Sequence, residues 1–213
     1  MITLKVDPNN PDMKAIRTAA EAIRRGELVI FPTETVYGLA ADALNADAVR
    51  RVYEAKGRTD KQPLPVQVAS LADVGKAAEF LPEHARPLAE KYWPGPLTLV
   101  LTKSAALPSV VTSGKETVGV RVPDHPVALA LVKEVGSPIV ATSANASGEP
   151  PATNAMDAVR GVGARASVVL DGGESRFGVA STVVDVSVSP ARIVRQGSIS
   201  AADIRKVLGE VAE

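Results

Sequence analysis

The chain contains no cysteine. That absence removes disulfides, thiolate zinc sites and cysteine nucleophiles together. Histidine is nearly as scarce. His84 and His125 are far apart in sequence, and neither falls in a metal-ligand spacing such as HExxH. No Ser–His–Asp arrangement can be argued from two isolated histidines. Aromatic residues make up 3% of the chain, so the core must be built from Val, Ala, Leu and Ile. Charge of either sign is not in excess: 24 basic side chains balance 24 acidic ones. Strong binding to a long nucleic acid is therefore not expected, because phosphate contacts supply most of such affinity. No apolar run approaches the ~18 residues of a membrane span. The opening MITLKVDPNNPD lacks the charged-then-apolar pattern of a secretory leader. A cytoplasmic, membrane-free protein is expected. Familiar nucleotide loops are missing too. Lys76 and Lys115 each follow a glycine without completing GxxxxGK[ST], and Gly161 with Gly163 gives half of a dinucleotide fingerprint.

What is present is ordinary for a globular α/β chain. The 213 residues, 46% hydrophobic and 23% charged, suffice for a sizeable core. Ile16, Ala19, Ala20 and Ile23 share one face of a helix over 12–25, capped by Asp12 and ended at Gly26. Strands are predicted at 28–31, 65–69, 97–102, 117–122, 138–142, 167–171, 181–187 and 191–195, from β-branched runs bounded by Pro, Gly or Asp. Further helices are predicted at 45–56, 71–79, 83–92, 126–135, 154–161 and 200–209, with Asn45, Ser70, Thr153 and Ser200 placed as N-caps. Ser200 and Asp203 also have capping-box spacing. No repeat or low-complexity linker divides the chain; SGEPPATN (147–154) comes nearest. One domain over 1–213 is the simpler organisation. The neighbouring strand pairs 97–102 with 117–122 and 181–187 with 191–195 predict a mixed sheet.

Several polar clusters interrupt the apolar runs, and each admits two readings. In PTETVYGL (32–39) the hydroxyls and Glu34 either satisfy a turn after Pro32 or line a crevice at a strand's carboxyl end. In EAKGR (54–58) Lys56 and Gly57 form an ordinary helix C-cap, while Arg58 and Lys61 add enough charge for a polyanion site. TVGVRVP alternates Val118, Val120 and Val122 against Thr117, Gly119 and Arg121, as a half-exposed strand or as a pocket wall. ATSANASGEPPAT (141–153) is a polar connection, or a place where small side chains let a ligand reach backbone amides. Arg195 alone is an unremarkable strand-end arginine.

Together these stretches say more. PTETVYGL, KGR followed by PLPVQV, WPGPLTLVL, TVGVRVP, TSANASG, STVVD and RIVRQG occur in this order, and the series resembles the Sua5/YrdC family of threonylcarbamoyl-AMP synthases across residues 10 to 205. It resembles the short form, without an added carboxyl-terminal domain. The resemblance implies a YrdC-like fold: one α/β domain whose twisted mixed sheet, flanked by helices, surrounds a concave active-site crevice. It also implies a nucleotidyltransferase that joins L-threonine, bicarbonate and ATP, with Mg²⁺, into threonylcarbamoyl-adenylate and pyrophosphate. The product would pass to the tRNA threonylcarbamoyl transferase machinery, which modifies adenosine 37 of ANN-decoding tRNAs. By motif, Thr35, Gln67, Arg121, Ala141 (through its backbone) and Ser181 would hold threonine. Lys56 and Arg58 would sit beside the reacting phosphates, and Arg58, Gln62, Thr117, Ser143, Pro151 and Arg195 would contact ATP. No residue is assigned as a metal ligand. The chain departs from the pattern at Gln67, where many members carry histidine; glutamine binds without titrating near neutral pH.

The implied chemistry suits the composition. A carbamate oxygen attacking the α-phosphorus is an encounter of two anions, so preplaced cations can do the work without histidine or cysteine. The alternative from another class is an RNA-binding module using a concave basic surface, which the balanced charge and scarce aromatics disfavour. A carbamoyl-adenylating domain of the hydrogenase-maturation type shares the fold by resemblance but normally belongs to a much longer chain.

Overall fold

In LTLVLT, Leu97, Leu99 and Leu101 are fully buried on one face, while Thr98 and Val100 line an open crevice on the other. That is the period-two pattern of a strand with one core face, and it governs most of the sheet. The computed structural model describes residues 1–57 and 62–212. Among them are strands β1 (Ile2–Lys5), β2 (Leu28–Phe31), β3 (Gly38–Asp42), β4 (Val66–Gln67), β5 (Leu97–Thr102), β6 (Thr117–Arg121), β7 (Ile139–Ser143), β8 (Ala166–Asp171), β9 (Thr182–Asp185), β10 (Ala191–Arg195) and β11 (Val211–Ala212). They hydrogen-bond in the order β1-β8-β2-β3-β7-β4-β6-β5-β9-β10-β11. Parallel pairs such as β2 with β8 and β5 with β9 mix with antiparallel ones such as β3 with β7. The two neighbouring pairs expected from sequence are both antiparallel. The chain has the mixed α/β class that was expected.

Helices α1 (Met13–Arg24), α2 (Ala46–Lys56), α3 (Arg86–Tyr92), α4 (Ser109–Thr112), α5 (Pro126–Val135), α6 (Ala155–Val162) and α7 (Ala201–Leu208) flank the sheet. Asp12, Asn45 and Ser200 cap α1, α2 and α7 as expected, each accepting from a backbone amide of the first turn. Gly57 takes the left-handed C-cap of α2 at φ 58. Thr153 does not cap α6; the next residue, Asn154, does, through Asp157 N. Ser70 makes no cap, because its hydroxyl donates to the Asp73 carboxylate and the segment Leu71–Lys76 winds as a 3-10 helix.

The largest difference from expectation is β3. GLAAD is built of residues with low strand preference, yet it pairs antiparallel with β2, Val29 opposite Ala40 and Phe31 opposite Gly38. Small residues are required there: a Cβ on Gly38 would lie 2.6 Å from the Phe31 ring. PTETVY is therefore a hairpin connection between two sheet strands.

Two cores lie on opposite faces. α1 and α5 bring Ile16, Ile23, Val127 and Leu131 against Val29, Phe31, Ala40 and Leu170. The other face packs Ile30, Leu39, Leu99, Val120 and Val184 against α2, α3 and α6. Beyond β7, the face that α1 and α5 cover elsewhere carries Gln67, Arg121, Thr98, Val183 and Arg195, and there it opens as a crevice.

Candidate active site

The crevice has a volume of about 440 Å³ and is walled by the β2–β3 hairpin, β4 to β7, β9 and β10. The hairpin is held from within. Thr33 Oγ1 accepts from the Thr35 and Val36 amides and donates to Val36 O at 2.6 Å. A hydroxyl has one proton to give. So in the 2.8 Å contact between Thr33 and Thr35 hydroxyls, Thr35 donates. Thr35 Oγ1 in turn accepts from Arg121 Nη1 at 3.0 Å, which leaves it one lone pair on the crevice side. Both sequence readings of this cluster hold, Thr33 for the turn and Thr35 for the wall.

Arg121 reaches across the crevice floor from β6. Its Nε donates to Gly95 O at 3.1 Å and Nη2 donates to Glu34 Oε1 at 2.6 Å. Three of the five guanidinium N–H groups are thereby used, leaving one on each terminal nitrogen, a pair suited to a carboxylate. Gln67 stands beside it in register on β4. Gln67 Oε1 is buried without a hydrogen-bond partner among the described residues, as is Glu34 Oε2. Buried acceptors are normally satisfied, so the end of the crevice around Arg121 holds unused acceptors next to unused donors.

Ser181 and Arg195 close the same end. Ser181 Oγ lies 2.9 Å from Thr98 Oγ1, and Arg195 donates to Ser181 O through Nε and Nη2 at 3.2 and 2.9 Å. Burial, with the nearby charge of Arg121, pulls the Arg195 guanidinium below its ordinary pKa. Ala141, Ser143 and Thr117 also line the crevice, so eight of the residues expected from sequence come together. The segment entering Ser181 is tied to the hairpin: Phe177 N donates to Glu34 O, and Tyr37 OH donates to Gly173 O at 2.7 Å. Burial pushes the Tyr37 phenol up to about 12, so it stays a neutral strut.

Other expected residues lie elsewhere. Lys56 is not a solvent-facing cap cation. It is 4% exposed, and its ammonium donates to Ser143 O at 2.5 Å and Asn145 O at 2.6 Å. Its own carbonyl accepts from Ser147 N, so Lys56 binds the TSANAS loop from behind the crevice. Gln62 and Pro151 are exposed and do not line the crevice; the Gln62 carbonyl accepts from Tyr53 OH at 3.0 Å. Arg58 and Lys61 lie outside the described residues. Sequence reasoning did not single out Thr98, Lys115, Asp185 and Arg192 as crevice residues. Alternation could have found Asp185, which shares a face with Val183 in STVVD. The same alternation sets Thr98 opposite Leu97 and Leu99 in LTLVLT. Nothing local marks Arg192.

Among the described residues no three His, Cys, Asp or Glu side chains converge on a point where a metal ion would sit. Asp185 is the acidic residue of the described crevice lining, and Arg192 lies 3.5 Å from it.

Comparison with known proteins gives the family. Residues 21–197 match the Sua5_yciO_yrdC family, described as telomere recombination. The chain is 47% identical over 196 residues to a protein of Pyrococcus abyssi named threonylcarbamoyl-AMP synthase, covering 92% of this chain and 58% of that one. It is 43% identical over 211 residues to the Bacillus subtilis protein of the same name, covering 99% and 60%. A crystal structure of Pyrococcus abyssi Sua5 complexed with L-threonine superposes with a TM-score of 0.96 at 45% identity, covering 100% of this chain and 62% of that one. The chain thus spans about three fifths of the length of these proteins. By sequence and by fold, it belongs to the Sua5/YciO/YrdC family.

Proposed function

We propose that the crevice makes threonylcarbamoyl-adenylate from L-threonine, bicarbonate and ATP. The observation that carries this reading is the end of the crevice around Arg121. Two spare guanidinium N–H groups, the open lone pair of Thr35 and the unpartnered Gln67 Oε1 offer donors and acceptors together. A zwitterionic amino acid with a hydroxyl side chain presents the complementary set. Relatives carrying the synthase name, and the neighbour crystallised with threonine, support the same assignment.

The reaction would run in two balanced steps. The threonine amine adds to bicarbonate, giving the carbamate and water. A carbamate oxygen then bonds to the α-phosphorus of ATP while the bond to the β-phosphate bridging oxygen breaks, releasing pyrophosphate. The residues present serve this by placing and neutralising anions, which is the main need of a phosphoryl-centred displacement. Arg121 and Ser181 hold the amino acid. Arg195, pinned to the Ser181 carbonyl, stands where the carbamate and α-phosphate would meet, and Ser143 and Thr117 border the nucleotide. We take Arg58 as a further phosphate contact on its motif alone. Lys56 acts by fixing the loop that presents Ser143. ATP would enter as its Mg²⁺ complex, the ion neutralising phosphate charge.

The product, a mixed anhydride, would pass to a tRNA threonylcarbamoyl transferase in the cytoplasm. Among the described residues no helix is long and apolar enough to cross a membrane. An RNA-binding module is the weaker reading, because the polar groups converge on a volume of about 440 Å³, the size of a small-molecule site. Pyrophosphate release measured with each substrate omitted in turn tests the proposal. Release should require both threonine and bicarbonate. Equal release without threonine would replace it with a generic nucleotidase.

A further inference from the structure

Among the described residues four cationic side chains line the crevice: Lys115, Arg121, Arg192 and Arg195. Three have partners. Arg121 is paired with Glu34, Arg192 lies 3.5 Å from Asp185, and Arg195 is held by the Ser181 carbonyl at 2.9 Å. Lys56, behind the wall, has its ammonium on the Ser143 and Asn145 carbonyls. Lys115 is exposed, and its ammonium makes no hydrogen bond or ion pair among the described residues.

Its direction is set by the turn before β6. Ser113 at φ 55 and Gly114 at φ 78 reverse the chain after α4, and Lys115 N bonds back to Thr112 O at 3.1 Å. Glu116 turns outward, its carboxylate 3.7 Å from the Lys103 ammonium, so the turn is tied on its outer side. Lys115 turns inward, two residues before Thr117. Thr117 and Arg121 stand at opposite ends of β6, on one face. A ligand whose carboxylate occupies Arg121 therefore has its far end beside Thr117 and Lys115.

We infer that Lys115 is a phosphate-binding residue that takes the pyrophosphate portion of the nucleotide. The inference rests on the synthase reading for the identity of the ligand. An unpaired ammonium on a flexible stem at the rim folds onto the β- and γ-phosphates as they enter and swings back to solvent as pyrophosphate departs. Lysine serves here as a point charge, where the paired arginines serve as fixed forks.

Lys115→Ala and Lys115→Arg test this, with inorganic pyrophosphate as a calorimetric probe beside steady-state kinetics. Lys115→Ala should raise the pyrophosphate Kd and the KM for ATP on the order of tenfold, as for one charge-assisted contact. The KM for threonine and the Tm should not move, and Lys115→Arg should restore most of the loss. An unchanged pyrophosphate Kd and ATP KM in the alanine variant would overturn the inference. So would an equal rise in the KM for threonine, which would report distortion of the whole crevice. If the wild type forms no adenylate yet binds pyrophosphate in a Lys115-dependent way, the synthase reading fails and the anion site stands.

Discussion

Arg121 Nη2 lies 2.6 Å from Glu34 Oε1, with only 8% and 1% of the two side chains exposed. Burying two charges costs several kcal/mol per ion, and their attraction does no more than offset it unless further hydrogen bonds join in. Gly95 O and Thr35 Oγ1 supply those bonds to Arg121. The pair fixes a guanidinium at the crevice floor with two N–H groups still open.

Arg121→Ala should therefore do more than remove a threonine contact. It strands the Glu34 carboxylate in the interior, a loss of about 3–5 kcal/mol in stability. Urea unfolding measures it. A change below about 1 kcal/mol would show that the Glu34 charge is solvated some other way.

Lys56→Met keeps the bulk of the stem and removes the ammonium. Read as a helix-end cation, Lys56 would contribute only about 0.3–1 kcal/mol. Its observed partners imply more, because each buried carbonyl left without a donor costs about 1–3 kcal/mol. The expected outcome is a lower Tm together with reduced turnover, since Ser143 loses its anchor. A normal Tm with abolished turnover would place the ammonium at the reacting phosphates instead.

Threonine should be preferred to serine. The fitted end of the crevice must distinguish a methyl group, worth roughly 10–200-fold in kcat/KM. Serine is then a poor substrate, not an inert one. Values within about twofold of each other would reject a pocket fitted to the methyl.

His125 gives the stability a pH dependence. Its Nδ1 accepts from Val127 N, capping α5, so the neutral ring carries its proton on Nε2. Burial lowers its pKa, opposed by the charges of Glu34 and Asp124 and assisted by Arg176. The unfolded chain, with a histidine near ~6.5, binds this proton first as pH falls. The contribution is thus complete above about pH 6.5 and is lost as pH drops toward the lower folded pKa. His125→Asn keeps a capping acceptor and should flatten the fall of Tm between about pH 7 and pH 5.5. An unchanged slope would assign that fall to other groups.

Long, strongly patterned elements were legible in the sequence: α1 with its Asp12 cap, the alternating leucines of β5 and the valines of β6. β3 was not, since Gly38, Ala40 and Ala41 carry no strand signal and are chosen for what surrounds them. The site divided the same way. Ordered motifs brought Thr35, Gln67, Arg121, Ser181 and Arg195 to one crevice. They set Lys56 beside the reacting phosphates but gave no sign of its partners Ser143 and Asn145, which lie far along the chain and are met only in the folded state. Glu34 was visible as part of a polar cluster, but its pairing with Arg121 comes from a hairpin folding over a distant strand.

Mass spectrometry of a reaction containing ATP, threonine and isotopically labelled bicarbonate tests the central claim most directly. The account predicts one adduct bearing threonine, AMP and the labelled carbon, formed with stoichiometric pyrophosphate and absent when either threonine or bicarbonate is withheld. AMP and pyrophosphate appearing without incorporation of the label would contradict it.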